Sequence, residues 1–207
     1  MRSIRQIFAV LALLCATYAQ AEVVAGRDYK VMNPPQPVSS GGKIEVLEFF
    51  FYGCSHCYHL HPLIDAWEKK KPKDVELLYV PAVFNESWEP MARTFYALES
   101  MGKIRQLHDP LFKAWNVQSI DLRDEQRITD YLVKQGVDGG RFGAAYNSFS
   151  MGSKIARSNQ LVQSYGVRGT PTIAVDGKYV ISGLQPDETI RVLDEVIKIA
   201  RKERSKH

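Results

Sequence analysis

Two runs of β-branched and aromatic residues dominate the first half of the chain. Ile44 to Tyr52 and Asp74 to Val80 are nearly continuously apolar, the pattern of strands buried on both faces. The stretch between them, from about Cys54 to Lys70, has helical spacing and carries Pro62 inside it, where the missing N–H should kink the helix. Strand, helix and strand at this spacing predict a βαβ unit with parallel strands. Apolar residues then recur at helical intervals over Ser87 to Met101, Lys103 to Trp115, Asp124 to Gln135, Gly140 to Ser150 and Ser153 to Tyr165. Sheet signals return only late. Thr172 to Val175 and Lys178 to Ser182 flank Asp176-Gly177, a strong two-residue hairpin signal, and an amphipathic helix is predicted over Pro186 to Lys202. The Asn33-Pro34-Pro35-Gln36-Pro37 segment reads as an extended arm. The predicted order is βαβ, a helical block, then ββα.

The first residues change how the cysteines are read. Arg2 and Arg5 form a basic start, Ile7 to Ala16 an apolar core, and Ala19-Gln20-Ala21 a small-x-small cleavage site before Glu22, the layout of a secretory signal peptide over residues 1–21. That apolar run is too short to span a bilayer, and no later segment approaches the roughly 20 apolar residues a membrane helix needs. The mature protein is therefore expected to be exported and soluble. Cys15 follows Leu14, not the small residue of a lipoprotein signal, and should leave with the peptide. Cys54 and Cys57 are then the cysteines of the mature chain, able to pair only with each other or with a partner. Losing Arg2 and Arg5 lowers the formal charge from +4 to +2, too little to argue for nucleic acid or an anionic membrane surface. The basic cluster Lys198, Arg201, Lys202, Arg204 and Lys206 sits where cations complement a helix dipole. A mature length of 186 residues suits one domain with an insertion, or two small ones.

Against this background Cys54-Ser55-His56-Cys57, at a strand-to-helix junction, reads as a redox motif. Its first sulfur lies beside unpaired helix N–H groups, which favour a thiolate. His56 can add charge or a hydrogen bond. Haem attachment requires histidine after the second cysteine, and Tyr58 stands there. Cys54, Cys57, His56, His59 and His61 form a local density of metal ligands, but His59 and His61 point to different faces of a helix, and the motif supplies only half a structural zinc site. No metal and no cofactor are expected. Glu48 alternates with Val46 and Phe50, so its carboxylate is either buried, and then costly unless paired or protonated, or exposed at a sheet edge.

These residues carry a family resemblance. Without the helical block, the order looks like thioredoxin. With it, the chain resembles bacterial periplasmic thiol:disulfide interchange proteins of the DsbA type, through Val46-Leu47-Glu48-Phe49-Phe50, His56, Cys57-Tyr58, Gly169-Thr170-Pro171 and Asp176-Gly177-Lys178-Tyr179. The resemblance implies an α/β fold, a thioredoxin fold with an inserted all-helical domain: thioredoxin-like parts over 22–84 and 166–207, and the insertion over 85–165. It implies a monomeric periplasmic dithiol oxidase that introduces disulfides into unfolded or partly folded exported proteins with free cysteines, and a quinone-linked membrane oxidase of the DsbB type that recycles it near Pro171. Cys54 would be the nucleophile and Cys57 the resolving sulfur, with His56 stabilising the thiolate. Ser55 and Glu48 would tune the redox pair. Thr170-Pro171 would be a cis peptide facing the disulfide and pairing with substrate backbone. A thiol held about three units below ambient pH would favour the reduced state by about 4 kcal/mol, or roughly 90 mV, which makes the disulfide oxidising. Ser55 stands where well-known members have proline, Thr170 where several have valine, and His61 where an acid often partners the glutamate. Each departure bears on redox tuning, so a weaker oxidant is compatible with the motif. An exported isomerase or reductase is the nearest rival, although dimeric isomerases carry a sizeable domain before the thioredoxin part.

Overall fold

The computed structural model describes residues 22–206, so the expected signal segment and Cys15 lie outside the described residues. The described chain forms strands β1 (Lys30–Val31), β2 (Ile44–Phe50) and β3 (Val75–Pro81), with helix α1 (Ser55–Glu68) between β2 and β3. After a short 3-10 turn come α2 (Glu89–Ser100), α3 (Ile104–Asn116), α4 (Glu125–Lys134), α5 (Gly139–Tyr146) and α6 (Phe149–Ser164). Then follow β4 (Thr172–Val175), β5 (Tyr179–Ser182) and α7 (Pro186–Arg204). The sheet order is β1-β5-β4-β2-β3, with β2 and β3 parallel and every other neighbouring pair antiparallel. This is the thioredoxin arrangement, and its helical insertion lies between β3 and β4.

β2 is central and buried throughout, as its unbroken apolar run predicts. Its alternate side chains feed different cores. Ile44 and Val46 pack with Leu60, Ile64 and Trp67 of α1 and with Val192, Val196 and Ile197 of α7. Leu47 and Phe49 pack on the opposite face with Val162, Tyr165 and Val167. The third core fills the helical block around Phe95, Leu98, Leu111, Phe112, Leu132 and Phe142, and it also contains Phe50, Tyr52 and Cys57. The active-site end of β2 is thus part of the insertion's core. That shared core joins the two halves of the molecule.

Helix α1 contains Pro62, as the sequence predicts. Other local features depart from the sequence reading. The helices expected over 140–150 and 153–165 instead meet at Asn147-Ser148, where α5 ends and Ser148 adopts the extended backbone of an N-cap. Asn and Ser favour helix ends because their side chains compete for backbone hydrogen bonds. Strand β1 was not foreseen, since two exposed residues carry no alternation; its pairing with β5 makes it visible. The C-terminal cations do more than complement a dipole. Arg201 holds Asp74 through two hydrogen bonds of 2.7 and 3.1 Å, and Arg204 holds Asp176 of the β4–β5 turn.

That turn generates a prediction. Asp176 (φ 54°) and Gly177 (φ 69°) both lie in the left-handed region, and Lys178 N–H closes on the Val175 carbonyl at 3.1 Å, as the two-residue hairpin requires. The proline arm docks here, with Gln36 N–H donating to the Gly177 carbonyl at 2.8 Å. A Cβ on Gly177 would lie 2.0 Å from the Gln36 carbonyl oxygen, a clash with backbone. Gly177→Ala should therefore cost about 1–3 kcal/mol in urea unfolding, and Gly183→Ala, with open space around it, should cost less.

Candidate active site

Cys54 occupies the N-cap of α1, with φ −92° and ψ 117° and no side-chain capping bond. Its N–H donates to the Phe51 carbonyl at 3.0 Å, so residues 51–54 form a turn between the strand and the helix. Gly53 is required there by close approach: a Cβ would lie 2.5 Å from the Phe51 ring, which is stacked on Trp88 at 3.5 Å. The first turn of α1 contains no acid. Its free N–H groups are left to the sulfur.

The two thiols are driven apart. Cys54 is half-buried and its pKa falls to about 5. The hydrogen bond from the Cys57 thiol is the largest cause, burial opposes it, and the Thr170 side chain and the backbone N–H groups of Cys57 and His56 add to the lowering. Cys57 is 0% exposed, and burial raises its pKa well above the thiol range, reinforced by the bond it gives to Cys54, by the charge of Cys54 and, once Glu48 ionises, by that carboxylate. The pair therefore holds one thiolate and one thiol at neutral pH.

Antiparallel pairing sets Thr172 opposite Phe49, which brings the 169–171 loop to the same end of β2 as the cysteines. The Thr170-Pro171 peptide is cis, and the Cys54 sulfur lies 3.2 Å from the Thr170 carbonyl oxygen. That carbonyl, an acceptor, favours the protonated thiol, whereas the Thr170 side chain on the same loop favours the thiolate. A groove of about 710 Å³ runs from here, lined by His56, Arg168, Thr170, Pro171, Ile181 and Leu184. Ser55 and His56 are exposed. His56 acts on the sulfur through its backbone N–H.

Glu48 is 1% exposed, so it is not an edge residue. Burial, with the charge of Glu68, raises its pKa to about 8, and its Oε2 has no hydrogen-bond partner among the described residues. Glu45, also buried, accepts bonds of 2.7 Å from the Ser39 backbone and hydroxyl. His61 is buried with its Nδ1 unpartnered, its ring 4.8 Å from that of His108 and 5.0 Å from that of Phe112. His59 is exposed. Among the described residues, no three His, Cys, Asp or Glu are grouped to hold a metal ion.

Sequence reasoning passed over Tyr52, His108 and Asn116. Tyr52 Oη and His108 Nδ1 are 2.7 Å apart, and Asn116 Nδ2 donates to the Tyr52 carbonyl at 2.9 Å. The missed signal was spacing, because His108 lies within the stripe Leu107, Leu111, Phe112 that α3 buries.

The DSBA-like thioredoxin domain family matches residues 45–192. The chain is 39% identical to the thiol:disulfide interchange protein DsbA of Burkholderia cepacia over 192 residues, covering 89% of this chain and 91% of that one. It is 37% identical to DsbA of Pseudomonas aeruginosa, with 92% of each chain covered. The crystal structure of Pseudomonas aeruginosa DsbA superposes with a TM-score of 0.85 at 36% identity, over 88% of this chain and 97% of that one. DsbA from Xylella fastidiosa gives 0.82 at 30% identity, over 87% and 98%.

The buried glutamate makes stability depend on pH. Its folded-state pKa lies above the unfolded one, so the folded protein keeps a proton that the unfolded chain releases. Stability is lost as pH rises from about 4.3 toward about 8. Glu48→Gln removes this loss. In urea unfolding the variant should gain on the unaltered protein by a few kcal/mol between pH 5 and pH 8; a constant difference would mean that Glu48 is ionised throughout.

Proposed function

The chain belongs to the DSBA-like thioredoxin domain family of thiol:disulfide oxidoreductases, and from its site we propose that it oxidises cysteine pairs in exported proteins through Cys54-Ser55-His56-Cys57. The observation that carries this reading is the opposite shift of the two thiols at the start of α1. A stabilised thiolate favours the reduced form, so the disulfide is readily given away.

In the proposed sequence, a substrate thiolate attacks the Cys54 sulfur of the disulfide. The S–S bond breaks, and Cys57 leaves as a thiolate. Being buried, that thiolate takes a proton from the Glu48 carboxyl, which is protonated at neutral pH. A second substrate thiolate attacks the substrate sulfur of the mixed disulfide, and Cys54 departs as the stabilised thiolate. The substrate has lost two electrons and the protein has gained them. Thr170 and Pro171 offer a backbone edge beside Cys54 on which an extended substrate segment pairs. His56 at the groove mouth adds a solvent-screened dipole or charge, and Ser55 leaves the first helical position free of side-chain bulk.

The domain division that fits this chemistry is a thioredoxin-like unit of residues 22–84 and 166–207, with residues 85–165 as an inserted helical domain. The compartment is the periplasm, reached through the signal segment 1–21. The partner that reoxidises the monomer is a quinone-linked membrane oxidase of the DsbB type. No helix among the described residues is long and apolar enough to cross a membrane.

Two outcomes are expected. With a reduced, unfolded disulfide protein as substrate, Cys57→Ser first charged with glutathione at Cys54 by oxidised glutathione should release that glutathione to a substrate thiolate and accumulate the Cys54–substrate mixed disulfide, and Cys54→Ser should abolish oxidation. In the reduced protein Cys54 should alkylate first, with a half-maximal rate near pH 5, and first labelling at Cys57 would refute the roles. The second outcome concerns stability. A depressed thiol pKa contributes stability above the unfolded value of about 8.5, and this is lost as pH falls through about 5. Urea melts should therefore find the reduced form more stable than the oxidised one at pH 7, with the margin shrinking toward pH 5. A markedly more stable oxidised form at pH 7 would indicate a reductant.

A further inference from the structure

One helix of the insertion holds a single residue of the active-site turn at two points. Tyr52 is the second residue of the turn 51–54, directly before Gly53 and Cys54. Its hydroxyl pairs with His108 Nδ1 at 2.7 Å, and its carbonyl accepts from Asn116 Nδ2 at 2.9 Å. Both partners belong to α3. Asn116 Nδ2 also reaches the Phe112 carbonyl at 2.9 Å, which fixes the amide on its own helix.

The surroundings are dry. Tyr52 is 1% exposed and His108 6%. The His108 ring is boxed by those of Phe50 at 5.0 Å, His61 at 4.8 Å, Tyr79 at 4.7 Å and Phe112 at 5.2 Å. Phenylalanine and leucine would fill this space without burying polar atoms. A hydroxyl–imidazole pair in such a place must keep its geometry, because either group left alone would be buried without a partner. Position is the gain. The sulfur of Cys54 must lie against the N–H groups of His56 and Cys57, and a small shift of the turn would weaken those contacts.

We propose that His108 and Asn116 are positioning residues for thiol–disulfide exchange: through Tyr52, helix α3 fixes the turn that holds the Cys54 sulfur against the start of α1. The helical insertion is then part of the redox machinery, acting on the nucleophile from behind.

The test compares Tyr52→Phe, His108→Leu, Asn116→Ala and the Tyr52→Phe/His108→Leu double variant with the unaltered protein. Two readouts are used, the pH midpoint of the Cys54 thiolate absorbance and the equilibrium constant with glutathione. Each single variant should raise the midpoint by about half a pH unit or more and make the protein less oxidising by about threefold. The double variant should add little to His108→Leu, since both partners of one bond are then gone. Variants that unfold at lower urea yet keep both readouts of the unaltered protein would overturn the proposal and leave α3 a purely structural support. Should His108→Leu or Asn116→Ala fail to fold, Tyr52→Phe, which keeps the ring, decides alone by the same readouts. The proposal rests on Cys54 being the nucleophile, and that is tested separately: first alkylation at Cys57 in the unaltered protein would sink the function, whereas unchanged readouts in variants of a protein that labels at Cys54 would sink only the positioning role.

Discussion

The structure turns on the contact between one sulfur and the open end of one helix. Cys54 caps α1 without a side-chain bond, and no acid in the first turn competes for the free N–H groups. Negative charge on this sulfur is stabilised first by the Cys57 thiol and then by backbone N–H dipoles at the helix start, all fixed when the chain folds, so little reorganisation is needed when the thiolate forms. The buried β2 strand places the helix start, the tight turn at Gly53 aims the sulfur, and Cys57, one turn further on, donates to it. The 169–171 loop faces it because β4 pairs with β2 in a register that sets Thr172 opposite Phe49.

Stabilising one thiolate leaves a problem behind it. Cys57 is sealed from water, and in the proposed exchange it leaves as a buried thiolate that takes its proton from within the protein. The neighbouring strand supplies an uncharged Glu48 whose raised pKa reflects the same burial that raises that of Cys57. Burial thus explains both raised pKa values. The insertion provides much of that burial, because Phe50, Tyr52 and Cys57 share its core. Excluding water from Cys57 and, as proposed, fixing the turn before Cys54 are then two effects of one packed seam.

Much of this was legible in the sequence. The unbroken apolar run of β2, the Asp176-Gly177 hairpin and the position of the cysteines before a helix follow from side-chain period, turn sterics and the unpaired N–H groups of a helix start. Alternation also placed Glu48 on a buried face, and the buried alternative holds. Other features were hidden for physical reasons. Strand β1 is too short and exposed for a pattern, and its existence depends on β5. The partnership of Tyr52 with His108 joins residues 56 positions apart, and local spacing can bury each without showing that they meet. The acids that receive Arg201 and Arg204 likewise come from distant loops, so the basic C-terminus looked simpler than it is.

The central claim is that the fold stabilises the Cys54 thiolate enough to make the Cys54–Cys57 disulfide an oxidant. The most direct measurement equilibrates the protein with glutathione buffers of graded composition at pH 7 and finds the composition at which half the protein is reduced. The account predicts that this midpoint lies in buffers dominated by oxidised glutathione. A protein that is already fully oxidised in buffers dominated by reduced glutathione would contradict it.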